Sequence, residues 1–322
     1  MAVWRDAARS PDLPHGSAVT VGAYDGVHRG HRAVIAELVR RAEAMGVPSA
    51  VVTFDRHPAT VVRPDSAPKQ LTDPEQEIEL LAASGVDHVV VLTFDEARSK
   101  ESAEDFVADT LVGRLHAKLV LVGSDFHFGH ERRGNVELLR RLGAELGFEA
   151  VGVDLVDAAG ATTDDEAAKV SSTTIRAALE AGDLPAATVL LGRHHEVRGT
   201  VEHGDHRGRE WGFPTANVHV ADDVQLPADG IYAAWLVRSD DTVLAGAASL
   251  GVRPTVVADG YRLLEVHVLD TDGWLDLYGE HVGVRFVARL HGEEHYDSVD
   301  TLITQIGADC AQAREILATA SR

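Results

Sequence analysis

The apolar pattern changes period once along the chain, and no other feature limits the fold as much. Up to Gly192, strand-length apolar runs alternate with segments whose hydrophobic residues recur every three or four positions. Beyond Gly192 the recurrence is every second residue, in short runs parted by glycine- and aspartate-rich turns. A chain of 322 residues, 45% hydrophobic and 25% charged, is long enough for two cores. Two domains of different class follow, expected over residues 1–185 and 186–322.

In the first half, Val19–Val21 ends a buried strand, and Ile35, Leu38, Ala42 and Met45 mark an amphipathic helix running to Gly46. Ser49–Phe54, Val86–Leu92, Leu119–Val122 and Glu149–Val153 are further apolar strands. Asp73 caps a helix with Pro74 at its first position, Ser102 with Asp105 opens another through Phe106, Leu111 and Leu115, and Val136–Leu146 is a third. Continuously apolar strands separated by helices predict a parallel sheet covered on both faces, with ligands at the carboxyl ends of its strands. Asp157–Lys169 carries little apolar pattern and reads as a loop.

In the second half, Val197–Val201, Ala216–Val220, Ile231–Val237, Thr242–Leu250, Leu263–Leu269 and Val282–Leu290 alternate as strands of a small antiparallel β-barrel. Ser298 caps a C-terminal helix striped by Leu302, Ile306, Cys310, Ala313 and Leu317.

Charge narrows the partners. Thirty Lys and Arg against 51 Asp and Glu give a net charge of −21, a field that repels nucleic acid and anionic membranes, so any anionic ligand has to meet a locally positive pocket. No leader peptide and no apolar run long enough to span a bilayer is expected. The single cysteine, Cys310, excludes an intramolecular disulfide, fits a reducing cytoplasm, and reads as a buried inert thiol.

Six stretches carry chemistry. Val19–His31 is a strand, a turn with Gly22, Gly26 and Gly30, and a helix start, where unpaired N–H groups and the helix dipole favour phosphate. His28 and His31 project from one side of that turn. Phe54–Pro58 and Gly123–Gly129 also follow strands, and Ser171–Arg176 opens a helix that Ser172 and Thr173 can cap, with an Arg176 guanidinium that can fork onto a phosphate. Taken alone, paired histidines are as often a satisfied core or surface pair, and Phe126 and Phe128 are by default core. In the second half, Arg198–Asn217 holds several glycines and basic groups and ends in Pro-Thr-Ala-Asn, and alternation turns Glu265, His267 and Leu269 to one side of their strand. No Gly-x-x-x-x-Gly-Lys-Ser/Thr sequence is present, which speaks against a Walker-type ATPase.

Gly22–His31, reading GAYDGVHRGH, contains the His-x-Gly-His signature of the nucleotidylyltransferase superfamily and resembles the bacterial FAD synthetases. The resemblance implies an α/β Rossmann-like parallel sheet in which His28 and His31 stabilise charge on the α-phosphorus of ATP as pyrophosphate leaves. It places Gly22, Asp25, Gly30, Ser172, Thr173 and Arg176 around the phosphates, and His57, Pro58, Asp125, Phe126 and Phe128 around the flavin. Arg198–Asn217 resembles the riboflavin kinases. There the family's glycine-rich loop covers ATP, which implies that role for Gly204, Gly208, Arg209 and Pro214, while Thr215 and Asn217 hold Mg²⁺ and phosphate. Glu265, in a segment similar to the family's Glu-x-His-x-Leu-Asp, takes the place of the catalytic base.

Together these imply a bifunctional enzyme that phosphorylates riboflavin to FMN and adenylylates FMN to FAD. Its partners would be flavins and ATP, with no nucleic acid and no membrane, and it would be a cytoplasmic monomer or weak homo-oligomer. Two alternatives stay open: a single surviving activity, and a flavin or nucleotide sensor without turnover. One departure stands out. The connector reads Gly192-Arg-His-His195 where the family has Gly-Arg-Pro and an aromatic, which loosens a turn. His194, His195, His203 and His206 invite a zinc reading, which the Mg²⁺ requirement of the resemblance disfavours.

Overall fold

The computed structural model describes residues 1–5, 13, 15–154, 169–204, 207–252, 262–271 and 275–321, with only the backbone at Arg207 and Val252. Residues 157–168 of the loop expected before Ser171, and His206, lie outside the described residues. The chain forms two compact units, Met1–Thr174 and Ile175–Arg322.

The first unit is a six-stranded sheet of β1 (Ala2–Arg5), β2 (Ser17–Val21), β3 (Ser49–Phe54), β4 (His88–Leu92), β5 (Ala117–Gly123) and β6 (Glu149–Val153). Every neighbouring pair runs parallel, in the order β1-β4-β3-β2-β5-β6. The continuously apolar strands have the expected cause: Val19, Val21, Val52 and Val120 face one core, while Ala18, Val51, Leu119 and Leu121 face the helices opposite. The chain moves outward from β2 to β3 and β4, then returns to β5 and β6 on the other side. β2 therefore adjoins the point where strand order reverses, the usual place for a ligand crevice.

Two elements differ from expectation. The four-residue edge strand β1 was not foreseen, because alternating exposure over so short a run gives no distinctive signal. The helix opened by Ser102 continues after Ala103–Asp105 as a π-helix over Phe106–Val112, a wider winding that keeps Phe106, Val107 and Leu111 buried.

The second unit is a closed antiparallel barrel of β7 (His195–Glu202), β8 (Thr215–Val220), β9 (Gly230–Val237), β10 (Val243–Val252), β11 (Arg262–Val268) and β12 (His281–His291), in the order β10-β11-β8-β7-β12-β9. Alternate residues such as Val218, Leu264, Val266, Leu250 and Phe286 fill the interior. The helix Val299–Leu317 starts at Ser298, whose hydroxyl accepts the Thr301 N–H, and buries Cys310, Ala313 and Leu317 against Ala233, Trp235 and Leu269 on the outer face of the barrel. Among the described residues no helix is long and apolar enough to cross a membrane.

Candidate active sites

At the end of β2 the chain makes a turn that few sequences tolerate. Tyr24, Gly26 and Val27 have φ of 48°, 82° and 37°, the left-handed region that costs an L-residue roughly 1–2 kcal/mol and a β-branched one more. Of the three glycines expected to supply conformational freedom, Gly26 does so. Gly22 and Gly30 serve close approach instead: a Cβ at Gly22 would lie 3.1 Å from the Tyr24 ring, and one at Gly30 would lie 3.2 Å from both the His28 ring and the Val170 carbonyl.

Several bonds hold the strained turn. Asp25 is 3% exposed, and its Oδ1 accepts from the N–H groups of Leu71 at 2.7 Å and Thr72 at 3.3 Å. Gly26 donates its N–H to Thr72 Oγ1 at 3.1 Å, and Tyr24 and Thr20 hydroxyls pair at 2.7 Å. Ser172 donates its hydroxyl to the Asp25 carbonyl at 2.9 Å, tying the helix start at Ser172 to the turn. Asp25, expected beside the phosphates, thus serves at least as the brace of this loop.

His28 caps the helix Arg29–Met45, and its Nδ1 accepts the His31 N–H at 3.3 Å. The two imidazoles stack with centroids 3.6 Å apart and planes 18° from parallel, and the Tyr24 ring meets His31 edge-on at 5.0 Å. His31 Nδ1 is sealed from solvent with no hydrogen-bond partner. Burial pushes the His31 imidazole down to about 3 against a weaker upward pull from Asp125, so it works at neutral pH as an uncharged ring. The stack faces a helix N-terminus, so the turn assembles N–H donors and ring nitrogens suited to a phosphate oxyanion.

The expected helix cap shifts by one residue. Ser171, not Ser172 or Thr173, accepts the Thr174 N–H through its Oγ at 3.2 Å, leaving Ser172 for Asp25 and Thr173 exposed in the first turn. Arg176 follows four residues after Ser172 on the same helix, Ser172–Glu180.

The residues expected at the flavin divide. Asp125 is exposed and paired with Lys169 Nζ at 2.6 Å, a partner the sequence reading missed. Phe126 and Phe128 stack at 5.4 Å, but Phe128 is buried in the main core against Phe106 while Phe126 is half-buried. His57 turns its Nδ1 onto the Ala59 N–H at 3.1 Å, bracing the short helix Ala59–Val62 after Pro58.

In the barrel, strand register does the assembling. Glu265 lies opposite Asn217 and His267 opposite Thr215 across β11 and β8, so period-two alternation sets all four side chains on the outer face while Ala216, Leu264 and Val266 point inward. Thr215 donates Oγ1–H to Glu265 Oε1 at 3.2 Å, and His267 Nδ1 meets the Pro214 carbonyl at 2.8 Å, fixing that nitrogen as the donor. Ser249, opposite Glu265 on β10, joins the same face without having been foreseen.

Two loop glycines are there for close approach. A Cβ at Gly204 would lie 2.4 Å from the Asn217 amide nitrogen, and one at Gly208 would lie 2.4 Å from the Phe213 carbonyl. Gly208 edges a cleft of about 770 Å³ on the outer barrel wall, lined by Arg209, Thr215, Asn217 and Glu265 at one part and by His291, Tyr296 and Asp309 at another.

In the substituted connector, His194 stands at the family's proline position with its Nδ1 buried and without a hydrogen-bond partner, and the anchored residue is the next one. His195 is 2% exposed, and its Nε2 bonds the Gln225 carbonyl at 2.8 Å, with burial pushing the ring down to about 4. Among the described residues no group of three or more His, Cys, Asp or Glu is placed to hold a metal ion, and His206 of the zinc reading lies outside them.

Comparison with known proteins matches residues 10–174 to the FAD synthetase family and residues 191–317 to the riboflavin kinase family. The bifunctional riboflavin kinase/FMN adenylyltransferase of Escherichia coli K12 is 38% identical over 93% of this chain and 92% of its own, and that of Pseudomonas fluorescens is 40% identical over 94% of each. A solved structure described as a macrolide-efflux protein from Streptococcus pneumoniae superposes with a TM-score of 0.80 at 31% identity, covering 94% of this chain and 96% of that one. With both regions matched and the likeness running nearly end to end, the chain belongs to the family of bifunctional riboflavin kinase/FMN adenylyltransferases.

Proposed function

We propose that this chain makes FMN from riboflavin and then FAD from FMN, with phosphoryl transfer assigned to residues 186–322 and adenylyl transfer to residues 1–185. The observation that carries the reading is the convergence of Thr215, Asn217 and Glu265 on one wall of the barrel cleft. Glu265 accepts the proton of the riboflavin 5′-hydroxyl as that oxygen attacks the γ-phosphorus of ATP, and ADP leaves. Gly204 and Gly208 bring the loop backbone close to the site, and Arg209 meets phosphate charge that the acidic chain otherwise repels. Thr215 and Asn217 offer neutral hard oxygens beside a carboxylate, a donor set that fits Mg²⁺, and the ion when bound neutralises charge on the phosphates.

In the first unit the FMN phosphate attacks the α-phosphorus of a second ATP, and pyrophosphate leaves. No protein nucleophile is needed. His28 and His31 donate hydrogen bonds to the phosphate oxygens, the helix N-terminus at Arg29 adds its dipole, and Ser172 and Thr173 hold the departing phosphates. The half-buried Phe126 supports a stacking contact with the flavin better than the core-bound Phe128.

A chromatographic time course of the purified protein with riboflavin, ATP and Mg²⁺ tests this, run beside one started from FMN. FMN should appear and give way to FAD. Riboflavin that stalls at FMN, with added FMN untouched, would remove the adenylyltransferase half of the reading; flavin bound without ATP consumption would replace it with a sensor.

A further inference from the structure

The far wall of the barrel cleft is held by a contact that the kinase chemistry does not use. His291, the last residue of β12, sits between two acceptors: its Nε2 is 2.9 Å from Asp309 Oδ1 on the C-terminal helix, and its Nδ1 is 2.7 Å from the Gly292 carbonyl. Neither a carboxylate nor a carbonyl oxygen can donate, and a neutral imidazole carries only one N–H. Both bonds are made only by the doubly protonated ring. Gln305, one turn earlier on the helix, donates its side-chain N–H to the same Asp309 oxygen at 2.8 Å, so the buried carboxylate is held from two elements at once. All three side chains line the cleft.

We propose that His291 is a positioning residue, an imidazolium that locks the C-terminal helix to β12 and so sets the width of the cleft in which the barrel unit takes its flavin substrate. The inference rests on the kinase reading given above. His291 has no ring nitrogen left for substrate; it acts through the helix that Asp309 and Gln305 belong to.

The groups around it favour the cation. From the helix come Asp309 and the neutral Gln305, from the chain that follows come Glu294 and Glu293, and β9 presents only Ile231 opposite it in register. Arg289, two residues earlier on β12, directs its guanidinium to the Asp229 carbonyl. Burial pushes the imidazole down, but the Asp309 bond, the Gly292 carbonyl and the nearby Glu294 outweigh it and hold the group above its ordinary 6.5. The sign follows: the lock is complete below about 6.5 and is lost as pH rises through the higher folded value. One bond to an acceptor then breaks, and a buried carboxylate loses its counter-charge.

Two measurements on the full chain test this. NMR titration of His291, assigned by its absence in His291→Gln, should give a midpoint above the ordinary histidine value that falls in Asp309→Asn. Steady-state riboflavin phosphorylation should show kcat/KM for riboflavin declining on the alkaline side through the same midpoint. In His291→Gln the riboflavin KM should rise roughly tenfold with kcat nearly unchanged and that alkaline limb gone. Adenylylation of added FMN should be unaffected in both variants, and a cooperative thermal transition of the barrel unit close to that of the wild type reports that the barrel remains folded. A His291 midpoint at or below the ordinary value, or one indifferent to Asp309→Asn, overturns the proposal. So does an unchanged KM and pH profile in His291→Gln. If the wild type phosphorylates no riboflavin at any pH, the kinase reading fails, and the titration alone still decides whether His291 is the clamped cation.

Discussion

Thr215 on β8 and Glu265 on β11 are joined by a 3.2 Å hydrogen bond across two antiparallel strands, fifty residues apart in sequence. The bond aims the carboxylate along the outer face of the barrel, where Asn217 stands opposite it. A carboxylate that takes a proton in the transition state contributes on the order of 10²–10⁴ in rate. Glu265→Gln is therefore expected to lower riboflavin phosphorylation roughly a thousandfold while leaving FMN adenylylation intact. Separate assays with riboflavin and with FMN check this. Equal loss of both activities in a folded protein would remove Glu265 from the base's role.

The stacked histidines predict the converse. His28→Ala and His31→Ala should each reduce FAD formation from FMN by roughly a hundred- to a thousandfold, the size of effect seen when a preorganised oxyanion donor is removed, and FMN formation should continue. Because burial holds His31 near 3, its own titration should leave no inflection in the adenylylation profile near pH 6.5. The stability sign is the opposite of that at His291. A histidine depressed in the folded state destabilises as pH falls from 6.5 toward about 3, since only the unfolded chain takes up the proton. Acid denaturation followed in wild type and His31→Gln separates the two effects.

Gly204 offers a test of loop geometry free of charge changes. An added Cβ would lie 2.4 Å from the Asn217 amide, the end of a side chain and not backbone, so Gly204→Ala should push Asn217 aside with little effect on folding. Riboflavin phosphorylation should drop about tenfold or more with the thermal midpoint nearly unmoved. Gly208→Ala meets the Phe213 carbonyl at 2.4 Å, which is backbone, and should disturb both loop and activity. Full kinase activity in Gly204→Ala would show that the loop does not set the position of Asn217.

Part of the barrel wall was legible because alternation places Glu265 and His267 on one side of their strand; Thr215 and Asn217 were singled out only through the family resemblance, and the register of β8 against β11 adds them to that face. The brace beneath the histidine turn was not. Asp25 reaches Leu71 and Thr72 from 46 and 47 residues away, and no local pattern encodes such a partner. Four hydroxyl residues in a row, Ser171–Thr174, left the cap ambiguous by one position, and only the Ser171 bond to the Thr174 N–H resolved it. Phe126 and Phe128 share one motif, yet the packing of Phe106 against Phe128 assigns that ring to the core. The π-helix at Phe106–Val112 keeps the same apolar residues inside that an α-helix would, so hydrophobic spacing could not distinguish them.

Glu77 gives the last prediction. Its Oε1 accepts the hydroxyl of Thr53 on β3 at 2.7 Å. Burial, with Asp25 and Asp73 nearby, pushes its carboxyl up to about 8, although the Thr53 bond opposes the shift. A folded-state value above the ordinary 4.5 means that the group contributes most stability below 4.5 and loses it as pH rises toward about 8. Glu77→Gln keeps the acceptor for Thr53 and removes the ionisation, so it should stabilise the first unit at pH 8 by on the order of 1–3 kcal/mol and flatten its alkaline decline. Denaturant unfolding at pH 5 and pH 8 measures the difference, with FAD formation in the same samples reporting the turn above it. Retained activity with the gain confined to pH 8 identifies Glu77 as a neutral support of that turn; loss of activity at both pH values would place its carboxyl in the chemistry instead.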